Sequence, residues 1–268
     1  SRIIDEGGKP GRRRKILPMK IKPPPGYPLR WSNRRTILRC LSGCVVPGRG
    51  ANIGRDDAVV FKDFLTEGEG SVLAEYADRK LLRRRRYDKG AHWDKVIENY
   101  REAELRYPAT DDGPESIIGV IVRRARGAIS DHVGAPPGGW LPPHVIDLHG
   151  SGSLGAHVDS TKFSGGIVAG VSLLSHVVMR LRPSRDGDAG AAPADPDDTD
   201  YVDMYLPPLS LYILSGAARY RYSHEILPDG YTFIQEGKES DVNERKTIRV
   251  ARDRRISIIF RDAIDGAP

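Results

Sequence analysis

Arg255-Ile256-Ser257-Ile258-Ile259-Phe260-Arg261 is the stretch from which the reading starts. β-Branched and aromatic residues fill it, so it reads as a strand. Its two arginines are six residues apart, an even number, and therefore share one face. A guanidinium is permanently charged and grips a carboxylate at two points, so this strand can hold an acid. Upstream stands His157-Val158-Asp159, whose His and Asp are two residues apart. On a strand they too would face one side. Between the two stretches lies a further histidine, in Ser223-His224-Glu225.

Two imidazoles and a carboxylate on one octahedral face leave three positions open, which is the ligand set of non-haem Fe(II) oxygenases. His157, Asp159 and His224 are the candidate metal ligands. A keto acid such as 2-oxoglutarate would fill two open positions and O₂ the third. Arg261 is the candidate partner for the far carboxylate of 2-oxoglutarate. Arg255 is the candidate for the near carboxylate or the iron-proximal end. His-x-Asp alone is a weak signal, and most lone histidines are structural or exposed. The competing reading of each arginine is a sheet-edge side chain paired with a surface Asp. Order carries the argument: His-x-Asp, strands, His, then Arg in a terminal strand.

The rest of the chain divides by charge. From Gly7 to Arg55 there are thirteen Lys or Arg and no Asp or Glu. The whole chain holds 42 Lys plus Arg against 36 Asp plus Glu, so the remainder is net acidic. Residues 1–55 thus read as an extended basic arm, rich in Gly and Pro. Such an arm contacts phosphate, in nucleic acid or anionic lipid, and Arg12, Arg13, Arg14, Lys15, Lys20, Lys22, Arg34 and Arg35 are its candidate contacts. The alternative is an Arg-rich targeting segment left attached, and the start at Ser1 rather than Met hints that something upstream is missing or was cut off. Pro23-Pro24-Pro25 speaks against an amphipathic transit helix. A short helix is expected over 33–41.

Two cysteines, Cys40 and Cys44, make no disulfide framework and fit a reducing compartment. As zinc ligands they are two of the four needed, so ordinary small apolar residues are the simpler reading. No run of 18 apolar residues exists, so no transmembrane helix is expected.

Within 56–264 the pattern changes along the chain. Thr66 and Glu69 have capping-box spacing ahead of a helical run. Residues 115–129 read as a second helix. Residues 83–86, four arginines in a row, are either a second phosphate patch or a solvated edge. From residue 143 the pattern turns to strands: 145–148 with a bend after it, 166–174, 176–181, 209–214, 247–250 and 256–260. Residues 185–199 read as a flexible insertion in a hairpin. Helices first and strands after imply an α+β fold, with helices braced on a sandwich or barrel.

At these residues the chain resembles the AlkB-type dioxygenases, whose pattern is His-x-Asp, a downstream His and Arg-x5-Arg. It is similar above all to the mitochondrial AlkB homologue 7 branch. The resemblance rests on residues 83–87 with His92-Trp93-Asp94, residues 157–163, 167–175 and 178–181, residues 211–220 with Ser223-His224-Glu225-Ile226-Leu227, and residues 254–261. It covers about residues 60–262, but neither the arm nor the 185–199 insertion. It implies a double-stranded β-helix (jelly roll) with flanking helices, Fe(II) and 2-oxoglutarate as cofactors, and a mitochondrial matrix location. It also implies a shortened nucleotide-recognition lid, a more open site, and a contact from Tyr212 to 2-oxoglutarate. From the residues alone Tyr212 could equally be a core aromatic.

Two departures stand out. Nucleic-acid-repairing AlkB enzymes carry Asn and Tyr where this chain has Ile146 and Leu148, which cannot hydrogen-bond the cosubstrate. A tyrosine of the homologue 7 branch is replaced by Ser153. Two functions follow as expectations. One is a dioxygenase that hydroxylates or demethylates an RNA or protein substrate. The other is an accessory subunit of a large mitochondrial assembly, a ribosome or respiratory complex, that uses the arm to contact RNA or partner proteins.

Overall fold

Thr66 starts the first helix as the sequence predicts. Its hydroxyl accepts from the backbone N–H of Glu69, and the Glu69 carboxylate accepts from the Thr66 N–H. This reciprocal cap opens α1 (Glu67–Tyr76), which continues as a wider π-helical segment over Ala77–Leu82. Buried Glu69 also takes both terminal nitrogens of Arg124 at 2.8 Å, which ties α1 to α2 (Ile117–Val133). Such a computed structural model describes residues 44–47, 53–83, 85–88, 96–107, 117–184, 200–235 and 246–265. All of these belong to one compact unit, Ile37–Pro268. The arm contacts named above, the helix expected over 33–41, Cys40, His92, Trp93 and the 185–199 insertion lie outside the described residues.

Among the described residues twelve strands occur, in the order β1 (Val45–Pro47), β2 (Ala58–Phe61), β3 (Ile97–Glu104), β4 (His144–His157), β5 (Val168–Leu173), β6 (Val177–Pro183), β7 (Val202–Leu206), β8 (Leu211–Leu214), β9 (Tyr222–Ile226), β10 (Thr232–Gln235), β11 (Lys246–Arg249) and β12 (Arg255–Arg261). A short helix α3 (Gly216–Tyr220) precedes β9. Strands β10 and β11 form a separate ribbon. The others make one antiparallel sheet in the order β1-β7-β6-β9-β4-β12-β5-β8-β2, with β3 added beside β4. The ends of that path, β1 and β2, come near one another, so the sheet nearly closes as a jelly-roll barrel. Edge strand β1 lies inside the stretch 1–55 and pairs with β7, so the sheet reaches into the segment read as arm. Cys44 is fully buried in the core beside it.

Period-two alternation sorts the strands into a helix-facing side and an interior side. Ile256, Ile258 and Phe260 of β12, Ala169, Val171 and Leu173 of β5, and Leu211 and Ile213 of β8 pack with α1 and α2. The alternate residues Arg255, Ser257, Ile259, Arg261, Val168 and Tyr212 line a cavity inside the barrel. Tyr212 lies directly opposite Gly170. A Cβ at Gly170 would meet the Tyr212 ring at 2.7 Å, so glycine is what lets the phenol lie across that strand.

One expectation fails. Residues 145–148 do not end in a bend: β4 runs on through Gly150, Gly152 and Gly155 to His157. Ser153 is therefore a strand residue, opposite Glu98 of β3. The glycines serve close approach rather than a turn. A Cβ at Gly152 would come within 2.8 Å of the Asn99 carbonyl, where β3 bulges. Strands β6 and β7, on either side of residues 185–199 in the sequence, pair antiparallel.

Candidate functional site

His157 and His224 stand directly opposite one another across β4 and β9, with ring centroids 4.2 Å apart. This register explains how two histidines far apart in sequence meet. Asp159 joins them by a different route from the one expected. His157 is the last residue of β4, and Asp159 sits beyond it in a loop, so strand periodicity does not bring the two together. The loop turns the carboxylate back, placing Asp159 Oδ1 3.3 Å from His157 Nε2 and 3.8 Å from His224 Nε2. One potential ligand atom from each of the three residues lies within 4.8 Å of the others, and all three residues are buried.

The protonation pattern suits a metal. His157 Nδ1 lies 2.9 Å from the Gly155 carbonyl and donates to it, which turns Nε2 toward Asp159. Burial, followed by the charge of His157, pushes His224 down to about 3, so it is neutral and able to ligate at physiological pH. Burial alone would raise Asp159. The His157 hydrogen bond and the Arg261 guanidinium outweigh it and hold the carboxyl well below its ordinary value. Two imidazole nitrogens and one carboxylate make a donor set that fits ferrous iron.

At the other end of the same cavity, about 160 Å³ in all, the Arg255 guanidinium has no ion pair with an acid among the described residues. Arg255 is only 4% exposed, and its Nε donates to Ser172 Oγ at 3.0 Å. Its Nη2 is buried and, among the described residues, has no hydrogen-bond partner; neither has Ser257 Oγ. Tyr212 is buried beside both, and burial raises its phenol above the ordinary value. Orphaned donors on a cation at the wall of a cavity fit a carboxylate ligand. The two arginines thus differ from their expected parts. Arg261 Nε already engages Asp159 Oδ2 at 2.6 Å, so its charge is matched within the protein. The unmatched charge belongs to Arg255.

Among the described site residues expected from sequence, all six (His157, Asp159, His224, Tyr212, Arg255 and Arg261) line this cavity. Reading the sequence missed Tyr100 and Glu102, which enter it from β3, and His144, which enters from β4. It also missed the arginine that holds the Asp159 loop, Arg219. The Ile-x-x-Tyr-x-x-Ala spacing of β3, set among charged residues, gave no strand signal. Ile146 and Leu148 line the wall, and their side chains offer no hydrogen bond. Of the 83–86 run, Arg83, Arg85 and Arg86 are exposed, while Tyr87 donates to Asp147 at 3.0 Å.

Comparison with known proteins agrees with this geometry. The model of the 2OG-Fe(II) oxygenase superfamily matches residues 62–261. The mouse mitochondrial alpha-ketoglutarate-dependent dioxygenase alkB homolog 7 is 38% identical over 238 residues, spanning 87% of this chain and 93% of the mouse protein. Its bovine counterpart is 37% identical over 239 residues, spanning 87% and 92%. The solved structure of OsALKBH1 is similar at 17% identity and a TM-score of 0.48, covering 78% of this chain and 100% of that one. With its antiparallel barrel and a His-Asp-His cluster inside it, the chain belongs to the 2OG-Fe(II) oxygenase superfamily, as a dioxygenase of the AlkB homolog 7 type.

Proposed function

We propose that His157, Asp159 and His224 hold Fe(II), that Arg255 anchors the far carboxylate of 2-oxoglutarate, and that the enzyme oxidises a C–H or N-methyl group of an RNA or protein substrate. The observation that carries this reading is a single cavity with the three ligands in one part and a buried, unmatched guanidinium in another. When bound, iron with 2-oxoglutarate and O₂ supplies an oxidant for the substrate, and 2-oxoglutarate leaves as succinate and carbon dioxide. On an N-methyl group the hydroxylated product sheds formaldehyde.

The chain's own residues do the rest. Gly155 fixes the His157 tautomer through its carbonyl. Arg261 holds the Asp159 carboxylate ionised and in place. Tyr212 and Ser257 present hydroxyls beside Arg255, and Ser172 orients that guanidinium. Aliphatic walls from Ile146, Leu148, Leu154, Met179 and Ile259 exclude water from the reacting centre.

The location proposed is the mitochondrial matrix, from the mitochondrial relatives. The basic stretch 1–55 supports a contact with RNA or with a large mitochondrial assembly. That contact is compatible with catalysis and would serve an accessory role without it. Anaerobic titration with Fe(II) and 2-oxoglutarate tests the catalytic reading. A weak visible charge-transfer band and succinate formation are expected from the parent protein, and neither from His157→Ala. Absence of the band in the parent would leave the accessory reading ahead. A salt titration of RNA binding, with and without residues 1–55, tests the arm.

A further inference from the structure

Asp159 is a ligand candidate without a strand to hold it, so its position must come from elsewhere. Besides the Arg261–Asp159 pair, the residues after β4 are fixed to the rest of the barrel at two places. Asp262, just past β12, accepts from the backbone N–H of Gly166 at 2.9 Å and of Ile167 at 2.8 Å. The second place is Arg219, in helix α3. Its Nη1 donates to the Asp159 carbonyl at 2.8 Å, its Nε to the Gly165 carbonyl at 3.0 Å, and its Nη2 to Ser164 Oγ at 3.0 Å and the Ser164 carbonyl at 3.3 Å.

Arg219 is 2% exposed, and no carboxylate pairs with it among the described residues. Burying a guanidinium against neutral acceptors is costly, and burial lowers its pKa. A loop that needed only to be tied down could use neutral donors. What arginine adds is a planar fork of five donors that reaches several carbonyls at once and fixes their relative positions. One of those carbonyls belongs to Asp159 itself, whose carboxylate Arg261 holds from the other side. Five residues after Arg219, on the strand that follows α3, stands His224.

We propose that Arg219 is a positioning residue of the metal centre. It joins the main chain of the carboxylate ligand to the element that delivers the second histidine, and so sets the spacing of the ligand set and its affinity for a divalent ion. The proposal rests on the reading that His157, Asp159 and His224 bind iron. Arg219 does not touch the reacting atoms and acts through Asp159.

The test compares the parent protein with Arg219→Met, Arg219→Lys and Arg124→Met. Half-buried Arg124 is paired with buried Glu69, away from the cavity, and serves as a control for general destabilisation. Two quantities are read: anaerobic affinity for Co(II), with its visible spectrum, and the melting temperature of the metal-free protein. Loss of an outer-shell partner typically lowers metal affinity about 10- to 100-fold. Arg219→Met should show a loss of that size and an altered Co(II) spectrum. Arg219→Lys, which can reach one or two of the carbonyls, should recover part of the affinity. Arg124→Met should lower the melting temperature and leave both metal readouts unchanged. Unchanged Co(II) affinity in folded Arg219→Met, or an equal loss in Arg124→Met, overturns the proposal. If Arg219→Met does not fold, Arg219→Lys decides, and parent-like affinity and spectrum there overturn it too. A parent protein that binds no Co(II) sinks the metal reading itself, a different and recognisable result.

Discussion

Arg254, the residue just before β12, and Arg255, its first, are chain neighbours whose side chains go to opposite sides of the sheet. Arg254 faces outward to two carboxylates. Its Nε and Nη2 bind Asp147 at 2.9 Å each, and its Nη1 and Nη2 bind Asp78 at 3.2 and 2.6 Å. Arg101 binds the same two acids, and Tyr87 donates to Asp147. Arg255 faces inward to a serine hydroxyl and keeps a buried nitrogen without a partner. Hydrogen bonding to Asp147 raises the Arg254 pKa, whereas burial lowers that of Arg255. The outer arginine is complete within the chain and holds the fold together. Its neighbour is incomplete, and a fold keeps a buried cation in that state where a ligand completes it.

Removing each charge in turn should give opposite results. The largest effect is expected for Arg255→Met. Truncating one partner of a buried charge pair costs about 2–5 kcal/mol of binding, so the KM for 2-oxoglutarate should rise about 30-fold or more. The metal-free protein, relieved of an unmatched buried charge, should melt at the same temperature or higher. Steady-state succinate assays and thermal melts read the two effects. A variant with parent-like KM would mean that the orphan nitrogen has no part in cosubstrate binding.

Arg254→Met should show the reverse. It leaves Asp147, which has no exposed surface, with Arg101 and Tyr87 alone. Loss of the bidentate pair should cost about 2–3 kcal/mol of stability, less than for an acid left wholly unpaired. The KM for 2-oxoglutarate should stay near that of the parent. Urea denaturation with parallel kinetics separates the outcomes. If Arg254→Met alters the KM as strongly as Arg255→Met does, the two faces of β12 are coupled and the contrast between them is lost.

The sequence made one of these faces legible and hid the other. His157, Asp159, His224, Arg255 and Arg261 could be named because their chemistry is rare in combination and their order along the chain is specific. The helix start at Thr66 was legible because its cap is local, made by residues three apart. What could not be read depends on contacts between segments. Strand β3 mixes Glu and Arg with apolar residues because it sits between a cavity and the Asp147 network, so neither face is uniformly apolar. The glycines of β4 look like a bend until Asn99 and Glu98 of β3 approach them. Parts could be assigned to Arg255 and Arg261 only after Asp159 was seen to engage the second of them.

The smallest effect, and the finest test of the contrast, concerns Ser257. Its hydroxyl is buried in the cavity without a hydrogen-bond partner among the described residues, two positions along the inner face from Arg255. In the metal-free protein an unsatisfied hydroxyl brings only its desolvation cost. Ser257→Ala should therefore be neutral or stabilising, by up to about 1 kcal/mol. With 2-oxoglutarate bound, the same hydroxyl has an acceptor to donate to, and its loss should raise the KM by a few fold, the worth of about 1 kcal/mol for one neutral hydrogen bond. The signs are opposite: stability unchanged or gained, cosubstrate affinity lost. A hydroxyl with a purely structural part would give destabilisation without a change in KM. Measured beside Arg255→Met, the pair of effects reports whether the inner face of β12 is organised around a carboxylate or only packed.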